Sequence, residues 1–318
     1  MPDPAIITPF LAWYIIILRN PIFVHDSECE KMSYQLITDS CCDFTEELYR
    51  KCNVVCVPLT VLYNGENHTN FSDPAAVKNF YDTLRTGVTA TTAAANPENW
   101  AAAMEPHLAK GEDVLVLTFS SALSTTCQSA FIAADELREK YPQRSIRVVD
   151  TLCAALGQGL LVYHACRKRD EGMDLDTLAQ WVEDNKLHIC HWVTVDDLTH
   201  LKRGGRISAA TAMVGTMLNI KPIIIMDDTG HLSNVGKIRG RKAAIEHLVQ
   251  KMAETCEGYD NETVFIGHGD CPEDAAFLER LVKDRCGVSH VHTGYVGPVI
   301  GAHTGPGVLV VFFLGSHR

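Results

Sequence analysis

The chain has 318 residues, 46% of them hydrophobic, and a formal net charge of -11, which is enough length for two domains with cores of their own. That acidic balance excludes a protein that grips a phosphate backbone through a basic stripe, so nucleic acid is not an expected partner. Twelve cysteines without a CxxC pair, scattered through apolar segments, predict free buried thiols in a reducing cytoplasm and not a disulfide framework.

Residues 1–31 form an N-terminal extension. Its apolar stretch from Ala5 to Leu18 is interrupted by Pro9 and is short for a bilayer, and it lacks the basic lead and small-residue cleavage site of a signal peptide. Two readings stand: an upstream start, with Met32 opening the first strand in "MSYQLITDS", or an anchor that touches a membrane surface. No stable membrane span is expected.

Residues 32–180 read as an N-terminal α/β domain. "QLITDS", "VVCVPLTVLY", "DVLVLTFSS" and "RSIRVVD" are predicted strands, and 72–86, 97–109, 125–139 and 155–170 predicted helices. Strands alternating with helices imply a mostly parallel sheet covered on both faces, an α/β/α arrangement. Residues 181–318 read as a C-terminal α/β domain with a mixed sheet. Its strands are "HICHWVTV", "KPIIIMDD", "HLSNVGKIR", "TVFIGHG" and "HVHTGYV", backed on one side by helices over 241–256 and 272–286. In "HICH", strand alternation sets His188 and Cys190 on one face and His191 on the other, so no metal is expected there.

Polar groups collect at the strand ends, where open α/β sheets bind ligands. They are Asp39 and Ser40, then Thr91 and Thr92, then Ser120, Ser121 and Ser124. Hydroxyls beside helix-start N–H groups suit a carboxylate or phosphate. Ser124 and Asp43 read as N-caps; the pairs Thr91/Thr92 and Ser120/Ser121 are the better ligand candidates. Of Ser120 and Ser121, neighbours leaving a strand, only one is expected to reach a ligand. Arg206, after Gly204 and Gly205, is either a ligand-binding cation or a surface charge. Lys237, Arg239 and Arg241 are placed on an outer face. In "GPVIGAHTGPGVLVVFF" the glycines predict a turn and 308–313 a buried strand, with His303 at the rim of an interior, binding a ligand or capping a carbonyl.

There is no GxGxxG after the first strand, no Walker phosphate loop, no GxSxG elbow and no HExxH, and no acid can be assigned to orient a histidine. No catalytic residue, metal or cofactor is assigned. The set suits holding an anion better than breaking a bond.

These motifs resemble the DegV proteins, fatty-acid-binding proteins of bacteria. The likeness runs in order through "ITDSCCDFTEE", "ATTAAANPE", "SSALSTTCQSA", "VVDTLCAALGQGLL", "LKRGGRISAATAMVGTMLNIKPI", "GKIRGRKAA" and "GPVIGAHTGPGVLVVFF". The chain departs from the family pattern at Ala93, where a serine is usual, at Thr125, where a glycine is usual, and at Ala155, where a serine is common. The resemblance implies a two-domain carrier with one long-chain fatty acid between its domains, the carboxylate held by Thr92, Ser120 or Ser121, Arg206 and His303. It also implies a separate ATP-using fatty acid kinase subunit that phosphorylates the acid; Arg239 and Lys237 would meet that partner near the mouth. The alternative is a stand-alone enzyme acting on a small carboxylate or phosphate-bearing substrate, which draws on a distant likeness of fold to dihydroxyacetone kinases.

Overall fold

The computed structural model describes residues 34–69, 73–196, 198–207 and 219–318. The 1–31 extension, its Met32 start and the part of the "LKRGGRISAATAMVGTMLNIKPI" motif from 208 to 218 lie outside these. In chain order the first half comprises β1 (Tyr34–Asp39), α1 (Glu46–Lys51), β2 (Val54–Val57), β3 (Thr60–Tyr63), β4 (Glu66–His68), α2 (Pro74–Arg85), β5 (Thr91–Ala93), α3 (Pro97–Leu108), β6 (Asp113–Thr118), α4 (Thr126–Lys140), β7 (Ile146–Asp150), α5 (Ala155–Asp170) and α6 (Leu175–Asn185). The second half comprises β8 (Ile189–Thr194), α7 (Thr199–Arg203), β9 (Ile220–Met226), β10 (Leu232–Arg239), α8 (Arg241–Thr255), β11 (Thr263–His268), α9 (Pro272–Cys286), β12 (His290–Tyr295), α10 (Pro298–Thr304) and β13 (Leu309–Leu314).

The first sheet is parallel, in the order β2-β1-β6-β7. Its central strand β6 is buried at every position, as parallel strands covered on both faces are. The second sheet is mixed, in the order β10-β9-β8-β13-β11-β12, with β11 and β12 its parallel pair. Both sheets belong to one compact unit, Tyr34–Arg318.

Three elements depart from the sequence expectation. "VVCVPLTVLY" is two strands in two sheets. Pro58 has no N–H for a ladder, and the next amide, Leu59 N–H, is taken by Ser40 Oγ at 2.9 Å. Beyond that break, β3 joins β4 and β5 in a small antiparallel sheet, which makes a strand of the Thr91–Ala93 segment. The glycine-rich "GPVIGAHTGP" is a helix, not a turn: Pro298 occupies its first turn, and Gly305 at φ 77° ends it, the positions where proline and glycine favour a helix start and stop. Finally, the second sheet is covered on both faces. Helices α8 and α9 pack on one, and α5 from the first half lies across β8, β11 and β13 on the other. Gly157 permits that close approach, since a Cβ there would stand 2.2 Å from Nε2 of His191 on β8.

Candidate functional site

The inner face of the second sheet, the start of α5, the loop after β6 and helix α10 enclose a cavity of about 450 Å³. Alternation supplies its apolar walls: Val193 on β8, Ile224 and Met226 on β9, Val308 just before β13, and Val310 and Phe312 on it. Leu59, Phe119, Val296 and Val299 complete them from the other side.

The polar residues gather where α10, β5 and the segment after α7 converge. Thr92 points inward from β5, and its Oγ1 lies 2.8 Å from His303 Nε2 in the last turn of α10. His303 Nδ1 is buried without a partner. Gly204 makes room for that ring, because a Cβ there would be 2.2 Å from Nδ1. Burial, with the Arg206 charge beside it, pushes the imidazole down to about 4, so it is neutral at pH 7. Arg206 donates from Nε to the Leu123 carbonyl at 3.2 Å and from Nη1 to the Gly204 carbonyl. It thus ties the segment after α7 to the loop after β6 and lines the cavity. Ser121 lines the cavity from that loop; its backbone N–H donates to Asp150 Oδ1 at 3.2 Å. Asp39 anchors the same loop, accepting Phe119 N–H at 2.7 Å and Cys41 N–H at 3.0 Å, while full burial pushes its carboxyl up to about 6.

Two expected ligand residues stand elsewhere. Ser120 is fully buried and is not a wall residue; its Oγ donates to the Gly230 carbonyl at 2.9 Å and accepts Ala122 N–H at 3.3 Å. Leaving the strand, it points away from Ser121 and pins the turn between β9 and β10. Thr91 is exposed because β5 alternates, and the turn inward that places Thr92 places Thr91 outward. Asp43 is not the cap of α1. Thr45 accepts the Leu48 N–H there, whereas the Asp43 carboxyl is buried against Gly297 at the start of α10. Arg241 is not an outer charge either; it is bound by Asp274 Oδ2 at 2.8 Å and the Gly307 carbonyl at 2.7 Å. Lys237 and Arg239 are exposed on β10, the edge strand, outside the cavity. Ser124 lines the cavity, with its Oγ engaged by Thr126 at the start of α4.

Among the described residues, no group of three or more His, Cys, Asp or Glu side chains is placed to hold a metal ion. No described helix is long and apolar enough to cross a membrane. His303 has a hydroxyl, not a carboxylate, as its partner, so it lacks the orienting acid of a hydrolytic triad.

A model of the DegV family, described as uncharacterised proteins, matches residues 33–316. The chain belongs to the DegV family. A DegV domain-containing protein of Clostridium perfringens is 41% identical over 286 residues, 90% of this chain and 98% of that one. Among solved structures, a DegV family protein from Thermus thermophilus described by its fatty acid binding has a TM-score of 0.80 at 30% identity, covering 89% of this chain and 100% of its own. A DegV lipid binding protein from Thermotoga maritima gives 0.78 at 26% identity, covering 90% and 100%. The parallel sheet, the mixed sheet and their helices are the DegV architecture.

The departures from the DegV pattern are local. Ala93 lies on the exposed face of β5, so the hydroxyl absent there does not face the cavity. Thr125 has φ -75° and ψ 1°, a conformation that needs no glycine. Ala155 lines the cavity at φ 53°. The strand pattern also left His191 unassigned; it lines the cavity from β8, on the face opposite Cys190.

Proposed function

We propose that this DegV family chain binds one long-chain fatty acid in the cavity and presents its carboxylate to a separate kinase that phosphorylates it. The observation that carries this reading is the contrast within the lining: mostly apolar walls, with Thr92, His303 and Arg206 converging between β5, α10 and the segment after α7, and Ser121 on the loop that Arg206 binds. If a methylene takes about the ~30 Å³ share of a liquid water, 450 Å³ has room for roughly 15 such groups. Burying each contributes ~0.8 kcal/mol, so the tail supplies most of the affinity and the polar residues supply orientation. In the tautomer protonated at Nε2, His303 donates to Thr92 Oγ1, and its Nε2–H together with the Thr92 hydroxyl are the natural donors to a carboxylate oxygen, with Arg206 balancing its charge.

The fatty acid binding described for the Thermus thermophilus relative supports the same ligand class. A kinase partner is consistent with the absence of a phosphate-loop motif in the sequence and with the exposed Lys237 and Arg239 on the edge strand, which would meet an acidic or nucleotide-bearing surface. A small anionic substrate would leave the apolar walls unused.

The test is direct. Denaturing the recombinant protein and extracting it into organic solvent should release about one fatty acid per chain, detected by mass spectrometry. Protein that releases no lipid and also fails to bind added fatty acid would refute the carrier function.

A further inference from the structure

We propose that His191 sets the length of acyl tail that the cavity accepts, an inference that rests on the fatty-acid function proposed above. Strand alternation defines the depth of the cavity. Val308, Val310 and Phe312 line it in turn, a run of about 13 Å at ~3.3 Å per residue. Val308 is at the end that follows α10 in the chain; Phe312 is at the other, paired in register with His191. The next residues on those two strand faces, Leu314 and Ile189, are buried and do not line the cavity. The open space therefore stops at His191 and Phe312, whose rings meet edge to face at 5.2 Å.

The imidazole is fixed there. Ala154 N–H donates to its Nε2 at 3.2 Å, and its Nδ1–H donates to the Ile189 carbonyl at 3.0 Å. Both nitrogens are spent within the protein. Burial, reinforced by the Arg318 charge, pushes the ring down to about 3, so it stays neutral and tolerates a hydrocarbon terminus against it. Gly157 on α5 is what admits the ring: a Cβ at that position would stand 2.2 Å from His191 Nε2. Two side chains thus control the floor of the cavity, one by its presence and one by its absence.

This predicts opposite shifts from two substitutions. Delipidated protein is reloaded with an equimolar ladder of even-numbered saturated acids from lauric to behenic, and the bound distribution is read by mass spectrometry. His191→Ala, which removes a ring about three methylenes in size, should move the most abundant acid at least one rung longer. Gly157→Ala, which drives the ring toward the cavity, should move it shorter, and the double variant should follow His191→Ala. If His191→Ala does not fold, His191→Asn keeps an acceptor for Ala154 N–H on a shorter side chain and carries the same expectation. A parent that binds the ladder with a distribution unmoved by these variants, or moved the same way by both single changes, overturns the role of His191. A parent that binds none of the acids overturns the fatty-acid function itself.

Discussion

Replacing Thr92 by valine keeps the side chain's shape and removes one hydroxyl. The loss falls on a histidine with nothing to spare, because His303 Nδ1 is already buried without a partner and Thr92 Oγ1 is the group facing Nε2. In the ligand-free protein the variant therefore leaves a second ring nitrogen unsatisfied, at a cost of about 1–3 kcal/mol in stability. With the acid bound, a hydrogen bond to a charged group is lost, worth roughly 1.5–3 kcal/mol, or a tenfold to hundredfold weaker affinity. The tail term is several times larger, so binding survives. Urea unfolding of the delipidated protein reads the first quantity. Competition between a free fatty acid and its methyl ester reads the second, and the preference for the acid should narrow in the variant. Unchanged stability together with an unchanged acid-over-ester preference would refute the assignment of Thr92 and His303 to the head group.

Ser120→Ala and Ser121→Ala should separate, since Ser120 Oγ is bonded to Gly230 and Ser121 is a wall residue. The first should lower stability by about 1 kcal/mol and leave acid affinity alone, the second should loosen the acid, and the reverse pattern in paired unfolding and binding measurements would contradict the geometry. Arg239→Glu should slow phosphorylation of the bound acid without emptying the cavity; lipid loss from the purified variant would place that arginine inside. His164 is buried with Nε2 unpartnered, and burial pushes it down to about 4. Between pH 6.5 and 4 the unfolded chain then takes up a proton that the folded chain refuses, so this group costs stability as pH falls through that window. His164→Leu should remove about 2 kcal/mol of the parent's loss between pH 7.5 and pH 5, read from urea curves at both values; equal losses in parent and variant would show that His164 is not held neutral. Gly301→Ala should destabilise the fold, since a Cβ there would lie 2.6 Å from Tyr81 Oη, and a variant with the parent's melting temperature would count against that packing.

Much of this was written along the chain, because strand and helix periodicity are local properties. The alternation of apolar strands with helices marked the parallel sheet, the change of pattern after residue 180 marked the mixed one, and "VLVVFF" marked a strand that is buried throughout as β13. Hydroxyls at strand ends and glycines around His303 and Arg206 pointed to four of the residues that line the cavity, Thr92, Ser121, Arg206 and His303. What sequence could not assign is which of two adjacent hydroxyls faces inward. That depends on register against a partner strand: β5 turns Thr92 toward the cavity because it pairs with β3, and Ser120 is turned away because Gly230, 110 residues later, accepts its proton. Nor could sequence show that α10 is a helix. Its glycines are poor helix formers by propensity, but Gly301 is needed for the approach of Tyr81, a contact made by a residue remote in the chain. His191 was legible only as a side chain facing away from Cys190. That it ends a cavity follows from α5 lying over β8 with Gly157 above the ring, an arrangement set by the packing of whole elements and not by any local pattern.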